Sequence, residues 1–209
     1  MDHSALHERF DGPHGERSSA RDPGSNLPTA DQTADCARQA LAASAVIKYI
    51  SVDHLSDVRY LHAQAIKNLA SGEFSDDESA AVKAVVYSQK YVSGLSAAIG
   101  RRQFFGAWIG DMLVGTAGWS AMDDSVAVAR IRSIFVSPLY MRMGLAQKLL
   151  GHVEIQAADT GFRTYSVRSM ANATGFFVRQ GYVVTSHGVR SILPERNVPV
   201  TFLRKTTLS

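Results

Sequence analysis

Gly144 and Ala146 stand between a Ser-Pro pair, Ser137-Pro138, that closes an apolar segment and a helix-like pattern that begins in VSPLYMRMGLAQKLL, 136–150. Small residues at that point let a ligand approach the backbone. The first turn of a helix leaves several N–H groups without intrahelical partners, and the macrodipole adds partial positive charge at the same end. A diphosphate suits such a seat, with Arg142 and Lys148 contributing charge. An ordinary strand-to-helix turn, in which Gly144 serves only geometry, fits the same residues.

The elements that must position this turn are legible on both sides of it. SAVIKYISV, 44–52, has the β-branched content of a strand. Asp53 then precedes a pattern in which Leu55, Val58, Leu61, His62, Ala65, Ile66 and Leu69 recur at helical spacing, with Gly72 as its stop. The cluster Ser75-Asp76-Asp77-Glu78 predicts a second helix start, continuing through AAVKAVVYSQ. RQFFGAWIG, LVGTAGWSA and VAVARIRSIFVSP read as three strands joined by short links at Gly110-Asp111-Met112 and at 122–125. A helix to about Thr160 follows, with Gly161 ending it. A strand FRTYSVRS, a helix around NATGFFVRQG and strands YVVTSHGV and VPVTFLRK complete the chain. The order β-α-α-β-β-β-α-β-α-β-β predicts an α/β fold whose mixed, largely antiparallel central sheet is flanked by helices. Trp108 and Trp119 read as core rather than as a substrate platform.

Residues 1–43 are expected to form a disordered tail, because Ser, Asp, Arg, Gly, Pro and His dominate and branched apolar residues are scarce. His3, His7 and His14 within it read as solvated, not metal-binding. Residues 44–209 form the domain. At 209 residues with 45% hydrophobic content the chain can bury one sizeable core. Its single cysteine, Cys36, excludes an internal disulfide and a cysteine-based zinc site, which points to a reducing cytoplasm. Apolar runs fall short of the roughly 18 residues a membrane helix needs, and MDHSALHERFDGPHGERSSA lacks the apolar centre of a signal peptide. From Val136 onward nine Lys/Arg face three acids, so the last third is the cationic part and an anionic ligand is expected there. No long basic run or helix-turn-helix pattern supports nucleic-acid binding.

IRSIFVSPLYMRMGLAQKLL resembles the acyl-CoA-binding segment of the GNAT superfamily of N-acyltransferases, in which a strand and Val-x-Pro lead to Gln/Arg-x-x-Gly-x-Gly/Ala at a helix start. ANATGFFVRQGYVV is similar to that family's second landmark through Ala173, Phe176, Phe177, Gly181 and Tyr182. The resemblance spans roughly Val46 to Lys205. It implies acetyl-CoA as donor cosubstrate, an amine acceptor expected to be a small molecule, and direct attack without an acyl-enzyme. Phe135, Val136, Met141, Arg142, Met143, Gly144, Leu145, Ala146, Asn172 and Phe177 are the implied cofactor contacts, with Phe135 and Val136 offering a backbone N–H to the thioester oxygen at a bulge or splay. A homodimer is compatible with the family.

Three positions depart from the family pattern. Met141 stands where Gln or Arg is usual, Phe177 where many members place a tyrosine able to protonate the departing thiolate, and Arg130 near a common glutamate. His62, on a helix that borders the acceptor site in this family, is the candidate for the proton, because imidazole titrates near neutrality; a satisfied core histidine is the competing reading. Tyr165 is a second candidate, against ordinary strand packing, and His187, before Gly188 in an expected loop, a third. Asn172 suits either a pantetheine amide or a helix cap. Glu73, Asp76, Asp77 and Glu78 can attract a cationic amine or simply cap a helix. The alternative class is a catalytically degenerate acyl-CoA-binding or protein-interaction module.

Overall fold

A computed structural model describes residues 29–70, 80, 84–123, 126–193 and 196–207. The elements are α1 (Ala30–Ser44), β1 (Val46–Tyr49), α2 (Leu55–Ala70), α3 (Gln89–Gly100), β2 (Phe104–Ile109), β3 (Met112–Asp123), β4 (Val126–Val136), α4 (Leu145–Asp159), β5 (Thr164–Met170), α5 (Ala171–Arg179), β6 (Val183–Leu193) and β7 (Arg196–Thr206). Short 3₁₀ turns, Val52–His54 and Pro138–Tyr140, lead into α2 and toward α4. The seven strands form one sheet in the order β1-β2-β3-β4-β5-β7-β6, antiparallel throughout except between β4 and β5. This is the mixed, largely antiparallel α/β architecture that the pattern of apolar segments predicted.

Two elements differ from the sequence reading. Residues 30–43, expected in the tail for lack of branched apolar residues, form α1 together with Ser44, expected to open the first strand. Thr29 and Gln32 close a capping box there, each side chain bonding the other's backbone N–H. Alanine is the best helix former and needs no branched side chain to pack, and Ala42 and Ala45 sit in the core. The second difference is α3, which begins after Ser88. The Ser88 hydroxyl accepts from the Tyr91 N–H as its N-cap, and the helix runs through Gly94 to Gly100. Residues 84–87 are helical as well. The expected start at Ser75-Asp76-Asp77-Glu78, the stop at Gly72 and His3, His7 and His14 lie outside the described residues.

The sheet carries a core on each face. Beneath α4, Phe105, Trp119, Ile131, Leu149, Val153, Tyr165 and Leu203 pack with α1 and α5. On the other face Val58 of α2 and Leu95 and Ile99 of α3 meet Phe104 and Trp108. Both tryptophans are therefore core, as expected.

A polar staple fixes α4 to the far strands. Glu154 accepts from the Tyr182 hydroxyl at 2.8 Å and from the Lys205 ammonium at 2.7 Å, while its backbone carbonyl accepts from the Tyr165 hydroxyl at 3.2 Å. Burial, then the adjacent carboxylate, push the Tyr182 hydroxyl upward in pKa, so it stays a donor at any working pH. Glu154→Ala leaves an ammonium and a hydroxyl without their acceptor and is expected to cost about 2 kcal/mol. Urea unfolding checks this. A midpoint equal to wild type would show that the staple contributes nothing.

Candidate functional site

The parallel contact of β4 with β5 is short: Val128, Ala129, Arg130 and Ile131 pair with Thr164, Tyr165, Ser166 and Val167. Beyond it β4 runs on to Val136 and β5 to Met170 without pairing to each other, so the sheet opens into a wedge. Backbone groups on that edge of β4, from Arg132 to Val136, have no strand opposite them there.

The same stretch of β4 is bulged. Gly118 pairs with Arg132 and Thr116 with Phe135, which leaves one extra residue on β4. Ser133 takes a positive φ of 57° to make the turn, an uncommon conformation for a residue with a side chain. Three side chains hold it. The Thr116 hydroxyl donates to the Ser133 carbonyl at 2.9 Å, which commits its proton. The contact between Thr116 Oγ1 and His62 Nε2, 2.7 Å, then requires His62 to donate, and Nδ1 is left to accept from the Tyr91 hydroxyl at 2.6 Å. Tyr91, His62, Thr116 and Ser133 thus form a directed chain from α3 through α2 to the bulge, with neutral imidazole at its centre.

The wedge leads to the start of α4. Gly144 is the N-cap, at φ 82°, and no side chain caps the first turn. A Cβ at Gly144 would meet no atom within 4 Å, so the space over the turn is open. Arg142 also has positive φ, 64°, and alternating hands of this kind turn successive N–H groups toward one concavity. The N–H groups of Leu145, Ala146 and Gln147 precede the first intrahelical bond, which runs from Lys148 N–H to the Gly144 carbonyl. These features fit a diphosphate.

Of the residues read from the sequence, Phe135 and Val136 lie on the open edge, Met141 to Ala146 form the approach to α4, and Asn172 follows β5 in the first turn of α5. Met141 is engaged through its sulfur by Asn68 of α2 at 3.1 Å. Asn172 is exposed; the N-cap of α5 is Met170, with no side-chain capping bond. The chain corrects several roles. His62 is 0% exposed, its ring lies 4.2 Å from that of Phe135, and burial pushes its pKa down to about 3. It lacks both the access and the basicity of a general base at neutral pH. Tyr165 points into the core beneath α4, bonded to Glu154. Phe177 is buried against Phe176 and Tyr182. Lys148 donates to the carbonyls of Ala43 and Ala45 at the end of α1, so its charge serves that junction. His187 lies within β6, near the Thr201 hydroxyl at 3.2 Å, not in a loop. Glu73, Asp76, Asp77 and Glu78 lie outside the described residues. No group of three His, Cys, Asp or Glu that could hold a metal occurs among the described residues.

What sequence reasoning missed is a row of arginines. Arg130, Arg168 and Arg204 come from β4, β5 and β7 and share one cavity beside the wedge. The count of basic residues in the last third took in Arg168 and Arg204, and Arg130 stood out only as a departure from the family pattern.

A mixed, largely antiparallel sheet that opens between two parallel strands beside a helix start without a side-chain cap defines the class of α/β fold. Residues 71–191, more than half of the chain, match the family model described as Acetyltransferase (GNAT) domain, and the chain belongs to that family. Solved structures agree on the fold. A GCN5-related N-acetyltransferase from Rhodopseudomonas palustris is 18% identical, with a TM-score of 0.67 over 78% of this chain and 96% of that one. The PaiA N-acetyltransferase of Thermoplasma acidophilum, solved with coenzyme A, is 16% identical, with a TM-score of 0.64 over 78% and 99%. YncA from Salmonella typhimurium, described as a putative acetyltransferase with its cofactor acetyl-CoA, is 14% identical, with a TM-score of 0.57 over 78% and 94%. No curated protein matches the chain by sequence. No described helix is long and apolar enough to cross a membrane.

Proposed function

We propose that this chain transfers the acetyl group of acetyl-CoA to the amine of a small molecule by direct attack. The observation that carries the reading is the continuity of the wedge with the open first turn of α4. One arm of a thioester cofactor fits the unpaired edge of β4, and its diphosphate fits the amides of Met143 to Gln147. The relatives solved with coenzyme A and with acetyl-CoA support the same donor.

The reaction forms an N–C bond and breaks the C–S bond. A backbone N–H near the bulge at Ser133 stabilises the oxyanion, and the chain from Tyr91 through His62 and Thr116 holds that bulge in place. Positioning supplies most of the rate. The leaving thiol has an ordinary pKa of roughly 8.5, so it departs as thiolate without the hydroxyl that Phe177 lacks. The acceptor enters as neutral amine and its proton passes to solvent. In this reading Asn172, exposed in the first turn of α5, bonds the amide arm of the cofactor, and the reducing setting that suits the exposed thiol of Cys36 is the cytoplasm. A homodimer is compatible with this reading.

Calorimetric titration with acetyl-CoA, using adenosine diphosphate as control, is the direct test. Micromolar affinity that needs the pantetheine arm is expected, followed by turnover with a subset of amines. Absence of binding would sink the proposal. Binding without consumption across a broad amine panel would instead favour an acyl-CoA-binding module, the reading that buried Phe177 and buried His62 support.

A further inference from the structure

Arg130 lies opposite Ser166, and Ser166 opposite Arg204, so the three form one row across β4, β5 and β7. One pleat further on, Arg168 lies opposite Phe202, and Phe202 opposite Ser186. Side chains alternate along a strand. Since Ile131, Tyr165, Val167 and Leu203 belong to the core beneath α4, these residues project from the other face. That face is covered by α2 and α3 over β2, β3 and β4. Beside those helices the three arginines line a cavity of about 230 Å³ with Ser166, Thr185 and Phe202. Neighbouring strands are about 4.8 Å apart, so long side chains from three of them converge on a space of that size.

Among the described residues no acid pairs with the charge gathered there. Arg130, Arg168 and Arg204 are all exposed. Among the described residues the ion pairs join Arg38 to Asp35, His54 to Asp57 and Lys205 to Glu154, and none reaches the cavity. Further cations surround it. Arg132 is held below the ordinary guanidinium value by burial and then by Arg101 and Arg130; Arg168 by burial and then by Arg190 and Arg130. Like charges collected without a counter-ion repel one another until an anion arrives.

We infer that the acceptor carries an anionic group, a carboxylate or a phosphate, besides its amine, and that Arg130, Arg168 and Arg204 bind that group in this cavity. The amine's part in this inference rests on the acetyl-transfer reading; the anion site does not. The seat at the start of α4 accounts for the donor's diphosphate, which leaves these arginines for the second substrate. Arg130 lies three residues before Ser133, about 10 Å along an extended strand, a gap that a short aliphatic amine acid and the reach of an arginine span together. The same cations lower the pKa of a nearby ammonium and favour the neutral nucleophile.

The test separates the two readings. Full-length protein without acetyl-CoA is titrated at fixed ionic strength with γ-aminobutyrate and phosphoethanolamine, and with butylamine and putrescine as neutral-tailed and dicationic controls. At least one anionic amine is expected to bind and the controls are not. An Arg168→Gln/Arg204→Gln double variant, changed only at exposed positions, is expected to weaken that binding about tenfold or more, as loss of charge-assisted hydrogen bonds does. Its acetyl-CoA affinity stays at the wild-type value. With acetyl-CoA present, kcat/KM follows the same ranking. Preference for carboxylate or for phosphate identifies the anion. Binding of butylamine or putrescine as tight as that of both anionic amines, unchanged anion binding in the double variant, or recognition of acidic peptides alone would each overturn the inference. Anion binding without any acetyl-CoA binding would uphold this site and remove the acetyl-transfer reading.

Discussion

Gly144→Glu is expected to abolish acetyl-CoA binding while leaving the fold intact. The space over Gly144 is open, so the new side chain meets no packed neighbour. The backbone there is at φ 82°, where an L-residue costs about 1–2 kcal/mol, a loss the domain absorbs with a lower melting temperature. Charge has the larger effect on the ligand. A carboxylate about 5 Å from a diphosphate charge is unfavourable by roughly 3 kcal/mol at an effective dielectric near 20, before screening, and each further phosphate charge adds to it. Affinity should fall roughly 100-fold or more. Gly144→Asn separates the causes, because asparagine tolerates the left-handed region and carries no charge; it is expected to bind acetyl-CoA more weakly than wild type but far better than the glutamate variant. Calorimetry gives the affinities and circular dichroism confirms folding. Near-wild-type affinity in a folded Gly144→Glu protein would mean that the start of α4 is not the seat.

His62 sets the second large effect, and it appears as a pH dependence of stability. The folded imidazole has a pKa near 3 and the unfolded one 6.5. Between these values the unfolded chain binds the extra proton, so stability rises with pH across the window and is lost as pH falls from about 6.5 toward 3. Near pH 5 the loss relative to neutrality is about 2 kcal/mol from this group, at 1.36 kcal/mol per pH unit. His62→Gln keeps a polar group between Tyr91 and Thr116 but does not titrate, so its stability should be flatter across that window. His62→Ala opens a cavity, leaves the Tyr91 hydroxyl without its acceptor and removes the donor to Thr116, whose bond to the Ser133 carbonyl remains; about 3 kcal/mol is expected to be lost at neutral pH. Urea midpoints at several pH values read both variants. A His62→Gln profile parallel to wild type would show that His62 is not the titrating group. Turnover provides an independent check: a rate profile with a wild-type inflection near 6.5 that disappears in His62→Gln would return His62 to the role of base.

The parts of this molecule that local pattern determines were legible in the sequence. Gly144 before an amphipathic run, Pro138 after a β-branched one and the short links between the middle strands each act over a few residues, and they fixed the sheet and the helix start. α1 was not legible because scarcity of branched apolar residues marks disordered segments and alanine-rich helices alike, and alanines suffice where a helix buries only a narrow stripe. α3 was hidden by Gly94 and by a cap, Ser88, that also reads as a loop residue. His62 was correctly placed on the apolar side of its helix, but its partners Tyr91 and Thr116 lie 29 and 54 residues away, and only they settle its protonation. The arginine row was out of reach for the same reason. Arg130, Ser166 and Arg204 become neighbours only through strand register, which no spacing along the chain encodes.

The brevity of the parallel contact bears on how the domain opens and closes. Only four residue pairs join β4 to β5, whereas β3 with β4 and β5 with β7 pair along most of their lengths. The sheet is therefore two blades, β1 to β4 and β5-β7-β6, held by a narrow seam and by α4, which packs on β2, β3 and β4 and reaches the second blade through the Glu154 staple. A ligand that bonds both banks of the wedge adds a second seam and stabilises the closed form by mass action. Amide hydrogen exchange should then record β4 and β5 opening separately in the free protein and as one cooperative unit with acetyl-CoA bound.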